Sequence, residues 1–208
     1  MSHRPKPEFS LTGTDFSLAE AGILGSFRPA APSRVLPGSV AENAAFLAGR
    51  VKEVALLFFQ TEACLAYGEE DLPPDLAGLP LSWHLHLPLD LPWGRGPETA
   101  AGAVAALADK AAFLSPRGMV LHPPPDPGLL SPLVRELSRR GTAPSSLWVE
   151  NTVREPLPGY WEEIRACGCG VCLDLGHLLL AGDPGRTLAL PGLFERAAAL
   201  HVSAPDPQ

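Results

Sequence analysis

Residues 82–90 read SWHLHLPLD and set two histidines, His84 and His86, two apart in an otherwise apolar run that meets Pro88. Side chains two apart in a strand share a face. A short run of this kind, bounded by prolines, predicts a strand with both rings on one side of its sheet. A strand that should bury leucine carries histidine where that side opens on a polar site. The chain repeats the arrangement. His122 ends the run in MVLHPPP, Glu150 ends LWVENT, Asp174 and His177 close VCLDLGH, and His201 lies in ALHVS. Five of the six histidines fall at such positions.

Between these runs the chain reads as helix. VAENAAFLAGR (40–50) predicts a helix and VKEVALLFF (51–59) a buried strand. LSWHLHLP (81–88) is a strand, and PETAAGAVAALADKAAFLS (97–115) a long helix opened by Pro97. GMVLHP (118–123) predicts a strand, GLLSPLVRELSRRG (128–141) a helix closed by Gly141, SLWVENT (146–152) a strand and PGYWEEIRACG (158–168) a helix. GVCLDLGH (170–177) reads as a strand throughout, and a helical stretch at PGLFERAAA (191–199) leads to a last strand at LHVS (200–203). A first strand falls within FRPAAPSRVLP (27–37), blurred by its prolines. Apolar strands alternating with helices indicate an α/β fold built from parallel βα units. A doubly wound sheet binds ligands in a crevice and would not draw side chains from five successive strands into one ring. In a TIM-type (β/α)8 barrel the C-terminal strand ends converge on one mouth, and the pattern favours that fold.

The 208 residues fit one domain, with 1–26 as a lead-in and 27–208 as the barrel. A net charge of −7 argues against a nucleic-acid-binding surface. No apolar run approaches the ~18 residues of a membrane span, and the N-terminus lacks a signal-peptide core, so a cytoplasmic protein is expected. Cys167, Cys169 and Cys172 form C-x-C-x-x-C, but no second Cys/His pair sits at finger spacing. With Cys64 they read as small buried thiols.

Imidazole and carboxylate donors converging from several strands suit Zn²⁺, Fe²⁺ or Mn²⁺. Buried carboxylates without a cation or partner are costly. A bridging Glu150 would hold two ions ~3.5–4 Å apart, the spacing used for displacement at phosphorus. His86, nearer its strand end, is the expected ligand, and His84 sits deeper, behind or below it. Asn151 should point away from the mouth unless its strand has already ended.

In this order, HLHLPLD, LHPPP, VENT, CLDLGHLLLAG and LHVS resemble the xylose-isomerase-like TIM barrel superfamily that contains the endonuclease IV type enzymes. PGSVAENAAFLAGRVKEVALLFF (37–59), followed by HLHLPLDLPW (84–93), is similar to one branch, the cobamide-remodelling phosphodiesterases. The resemblance spans roughly residues 27–203. It implies that His86, His122 and Glu150 hold one divalent ion, that Glu150, Asp174 and His201 hold a second, and that His177 belongs to a third. Glu150 and His177 would position the attacking water. The branch implies hydrolysis of a phosphoester in the nucleotide loop of a cobamide, a small-molecule corrinoid partner. LDLPWGRG, with Trp93 and Arg95, offers contacts for a planar ring or a phosphate, and His84 joins them as a candidate substrate contact.

Two departures from the branch stand out. Gln60 occupies the end of the second strand, where the branch favours an acidic residue, with Glu62 two positions on as a substitute. The sequence stops at HVSAPDPQ, before the Asp/His pair and the eighth-strand Glu of the superfamily, and Asp206 matches neither. The chain therefore reads as a barrel lacking its last βα unit, with the edges of strands one and seven exposed for a partner to cover. Two other functions stay open. A sugar isomerase or epimerase of the same fold would rely on paired Glu bases and one ion, whereas this chain shows histidine-rich ligation and one clear barrel Glu, Glu150. A non-catalytic metal- or corrinoid-binding remnant is the other.

Overall fold

A computed structural model describes residues 28–182 and 184–202. The lead-in (1–26) and Asp206 lie outside the described residues. Seven strands run in sequence order through one sheet, every neighbouring pair parallel. They are β1 (Ala30–Pro32), β2 (Glu53–Leu57), β3 (Ser82–His86), β4 (Met119–Leu121), β5 (Leu147–Glu150), β6 (Gly170–Asp174) and β7 (Ala197–His201). The helices between them are α1 (Val40–Leu47) after β1, the short α2 (Thr61–Leu65) after β2, α3 (Pro97–Lys110) after β3, α4 (Leu130–Arg139) after β4 and α5 (Trp161–Cys167) after β5. Three short helices, α6 (Leu175–Leu180), α7 (Pro184–Leu188) and α8 (Leu193–Arg196), fill the link from β6 to β7.

The sheet is curled. Strands β3 and β7 stand four places apart, which in a flat sheet would separate them by ~19 Å. The rings of His86 and His201 instead stack at 5.6 Å between centroids. The expected TIM-type architecture is present with its eighth unit lacking: among the described residues no strand lies between β7 and β1. No described helix is long and apolar enough to cross a membrane.

The period-2 alternation sorts two cores. Trp83 and Leu85, Met119 and Leu121, Leu147 and Val149, and Val171 and Leu173 face outward and join helix residues such as Leu107, Leu133, Leu137 and Ile164 in the main core. The stripe Leu130, Leu133, Val134 and Leu137 is the buried face of α4, at the i, i+3, i+4, i+7 spacing of an amphipathic helix. The alternate positions face the barrel interior, where Val120, Trp148 and Cys172 form a second, smaller cluster with Ala199 against it.

Local contacts hold the loops that carry this frame. Ser39 and Glu42 close a capping box at the start of α1. Asn43, fully buried, accepts from the Val35 and Leu36 amides at 2.8 Å each and donates to the Leu36 and Ser39 carbonyls. All four of its hydrogen-bonding positions are thereby used, and the turn after β1 is fixed.

Three boundaries differ from the sequence reading. GVCLDLGH is a strand only to Asp174, and LGH begins α6. The last strand starts at Ala197 rather than Leu200, so the helix before it is only Leu193–Arg196. α2, α6 and α7 were not legible, being five or six residues long with no full amphipathic period.

Trp148 closes the lower barrel. Its indole lies over the backbones of both flanking segments, at Gly118 just before β4 and Gly170 at the start of β6. A Cβ at Gly118 would stand 2.3 Å from two indole carbons, and one at Gly170 would stand 2.8 Å from a third. Both approaches are shorter than any real Cβ contact, so glycine is required at both places. Gly118→Ala is expected to cost about 1–3 kcal/mol through overpacking, and more than Gly170→Ala. Urea unfolding of each variant, alone and combined with Trp148→Leu, checks this. The smaller side chain should recover most of the loss if the indole is its cause.

Candidate metal centre at the barrel mouth

Five strands deliver one residue each, or its immediate successor, to the same point. Glu150 stands at the centre, with 1% of its surface exposed. Its Oε2 faces His86 Nε2 at 3.3 Å and His122 Nε2 at 3.1 Å, and its Oε1 faces His201 Nδ1 at 2.8 Å. Asp174 Oδ2 lies 3.8 Å from the same His201 nitrogen. The His86 and His122 rings are tilted against each other at 5.2 Å. Burial pushes the Glu150 carboxyl up, but the rings of His122, His201 and His86 pull it well below the usual carboxylate range. Burial lowers His201, yet the hydrogen bond and charge of Glu150 and the charge of Asp174 leave it raised.

His86 Nδ1 stands 3.2 Å from the Leu87 carbonyl, which can only accept, so that nitrogen carries the ring's proton. In the neutral ring Nε2 then presents a lone pair to a carboxylate oxygen. That oxygen, Glu150 Oε2, is buried and has no hydrogen-bond partner among the described residues. Two electron-rich atoms facing each other at this distance fit a divalent cation between them. The donor set agrees, because three metal-sized groups form here: His86, His122 and Glu150; Glu150, Cys172 and His201; and Glu150, Asp174 and His177.

His177 lies in the first turn of α6, not at a strand end as the sequence suggests. Asp174 caps that helix by accepting the His177 amide at 2.7 Å, and the His177 ring donates from Nδ1 to the Asn151 carbonyl at 3.0 Å. Asn151 is the residue whose importance sequence reasoning missed. It is buried, donates to the Asp174 carbonyl and accepts the Asp174 amide, both at 2.8 Å. This reciprocal pair ties the ends of β5 and β6 and fixes both Asp174 and His177. The strand does end at Glu150, the condition under which Asn151 can turn inward. Tyr160 adds a similar tie, donating to the Pro124 carbonyl at 2.7 Å and bracing the loop that follows His122.

The remaining expected site residues lie elsewhere. His84 is buried one layer below His86, and its Nδ1 pairs with Glu53 at 2.7 Å. Glu53 also takes Arg117 at 2.7 Å and Ser82 at 3.2 Å. Two inward rings on one strand thus serve two layers, and His84 is directed to a buried carboxylate rather than to the mouth. The count of one barrel Glu needs correcting: Glu53 is a second, at the base. The sequence hides it because Lys-Glu before an apolar run looks like a solvated strand start. Trp93 packs against the main core, and Arg95 lines a groove of ≈ 260 Å³ with Thr61, Glu62, Asp90 and Thr99. Glu62 is exposed in that groove and joins no metal-sized group with Glu150, and Gln60 stands exposed at the N-cap of α2. Cys64, Cys169 and Cys172 are buried free thiols and Cys167 is half-buried, as expected. Among the described residues Cys167 and Cys169 join no metal-sized group. Burial, then the charges of Glu150 and Asp174, push the Cys172 thiol well up.

Fold and site together define an α/β barrel with a metal-compatible mouth. No protein-family model and no curated protein matches the chain. Among solved structures, the crystal structure of a D-tagatose 3-epimerase-like protein is similar, with a TM-score of 0.60 at 16% identity over 85% of this chain and 76% of that one. At that identity the likeness is one of fold. It meets the expectation of a TIM-type barrel fold, while the superfamily and its narrower branch rest on sequence motifs.

The base layer carries a pH dependence. Burial pushes the Glu53 carboxyl up, but hydrogen bonds and charge from His84 and Arg117 bring it from 4.5 down to about 2. A folded pKa below the unfolded one gives stability that is complete above about pH 4.5 and is lost as pH falls toward 2. The loss is on the order of 3 kcal/mol. In Glu53→Gln the urea midpoint should fall less between pH 5 and pH 3 than in the unsubstituted chain. Parallel curves would remove Glu53 as the source.

Proposed function

We propose that this chain is a metal-dependent hydrolase of a phosphoester bond, with the nucleotide loop of a cobamide as substrate. The observation that supports it is the division of labour on Glu150. One oxygen faces His86 and His122, and the other faces His201 with Asp174 beside it. A carboxylate approached on each oxygen by a different donor set has the form of a bridge between two cations, the arrangement suited to in-line displacement at phosphorus. When bound, such ions neutralise charge on the phosphate and activate water. The protein's own residues set the geometry. His86 and His122, from adjacent strands, would hold one ion. His201 and Asp174 would hold the other. His177 has Nδ1 committed to Asn151 and keeps Nε2 for a third position or for orienting water. The choice of substrate rests on the resemblance of residues 37–59 and 84–93 to cobamide-remodelling phosphodiesterases.

The epimerase reading is favoured by the solved neighbour, described as D-tagatose 3-epimerase-like. It asks for two carboxylate bases flanking a substrate. Among the described residues Glu150 is the only Glu in a metal-sized group, and Glu53 is at the base of the barrel. Both readings are separated by one set of incubations. The purified protein is given a cobamide or a ketohexose with Zn²⁺, Fe²⁺ or Mn²⁺, products are resolved by chromatography and mass, and metal content is measured on the same sample. Loss of the nucleotide loop is expected. Ketohexose turnover would establish the epimerase instead, and bound metal without turnover would identify a binding remnant.

Glu150→Gln should abolish turnover while leaving circular dichroism unchanged, because Gln keeps the shape but cannot bridge. His122→Ala should lower the bound metal by about one ion per chain and reduce turnover by at least about 10²-fold. Full activity in Glu150→Gln would defeat the bridging role.

A further inference from the structure

We propose that Cys172 is a sulfur ligand of the cation on the Oε1 side of Glu150, which makes that position selective for thiophilic ions such as Zn²⁺ over Mn²⁺ or Mg²⁺. The inference rests on the metal-centre reading above and adds a ligand that reading does not use.

Cys172 pairs with Glu150 in the parallel register of β5 and β6. It lies two residues before Asp174 and so on the same inward face, one layer down. Its Sγ, a Glu150 carboxylate oxygen and a ring nitrogen of His201 all lie within 4.8 Å of one another. A tetrahedral Zn²⁺ with Zn–S of ~2.3 Å and Zn–N of ~2.0–2.1 Å holds its ligand atoms at separations of this order. Asp174, 3.8 Å from the same His201 nitrogen, stands beside them as a fourth donor. The site is enclosed: Cys172 is fully buried and Glu150 is 1% exposed. On its other side Cys172 packs against Val120 and Trp148. The thiol thus sits at the boundary between the apolar plug and the polar mouth, where a softer donor meets the ion from below.

Such a ligand set has a chemical consequence. Thiolate favours Zn²⁺ and Co²⁺, whereas an all-oxygen and imidazole set accepts Mn²⁺ or Mg²⁺ with less discrimination. Coordination converts the thiol to a metal-bound thiolate, and the released proton passes to the buffer.

The test uses the full chain and Co²⁺ as the probe. Metal-stripped protein is titrated with Co²⁺ while visible ligand-field bands report binding and near-ultraviolet absorption reports thiolate-to-cobalt charge transfer. The charge-transfer band is expected in the full chain, retained in Cys64→Ala and Cys169→Ala, and lost in Cys172→Ala and Cys172→Ser. X-ray absorption of the Zn²⁺-loaded full chain provides a measurement independent of variants, with a sulfur shell expected at ~2.3 Å. Bound cobalt without the charge-transfer band, or a band that survives in Cys172→Ser, overturns the sulfur ligand and leaves the metal centre standing. Protein that takes up neither ion overturns both.

Discussion

A carboxylate buried at the open end of a curled parallel sheet is the constraint on which the rest of this molecule depends. Glu150 cannot be charged there without compensation, because desolvation of an isolated carboxylate costs several kcal/mol. Within the chain one hydrogen bond reaches it, from His201 on β7, while His86 and His122 on β3 and β4 and Asp174 on β6 converge on the same point with donor atoms suited to a cation. Those strands meet only because the sheet bends. In a flat sheet His86 and His201 would be too far apart to share a carboxylate, so the site and the curvature are one fact. The inward-facing small residues Ala199 and Gly170, beside the large Trp148, let the interior fill while the sheet curls.

The interior is layered by chemistry. At the base Glu53 meets His84, Arg117 and Ser82, and each of its carboxylate oxygens has a donor. Above it Trp148 lies between the polar layers, its ring 5.6 Å from His84. At the mouth Glu150 keeps an oxygen without a hydrogen-bond partner although two imidazoles stand next to it. The two layers differ at their carboxylates. Both Glu53 oxygens have partners, and the orphaned atom of the lower layer is a ring nitrogen, His84 Nε2. At the mouth the orphan is a carboxylate oxygen, Glu150 Oε2, while Oε1 keeps its hydrogen bond to His201.

The sequence disclosed the mouth well because parallel strands advertise their ends. An apolar run that finishes on His or a carboxylate places that side chain where the strand leaves the core, and five runs of this kind were enough to choose a barrel. Residues that act through the backbone left no such signal. Asn151 clamps Asp174 with two hydrogen bonds to its main chain, which no side-chain pattern announces. His177 was misplaced because LGHLLLA has no polar break to separate strand from helix. The break is made by Asp174 capping α6, a role that its other reading as a ligand concealed. His84 was correctly placed deeper than His86, but its partner Glu53 stood at the opposite end of a strand and could not be inferred from spacing.

The two enzymatic readings reduce to the role of Glu150. A base must exchange a proton with substrate and so needs one oxygen free toward the mouth and a pKa within reach of neutrality. A bridge needs both oxygens occupied and a carboxylate that stays charged. Here one oxygen faces two imidazoles and the other a third. A cation on either oxygen would keep the carboxylate charged. On the proposed reading Glu150 would therefore serve as a fixed negative charge between ions rather than as a base. On that reading the proton transfers of hydrolysis would fall to water and to His177, whose ring is half-exposed and anchored through Nδ1.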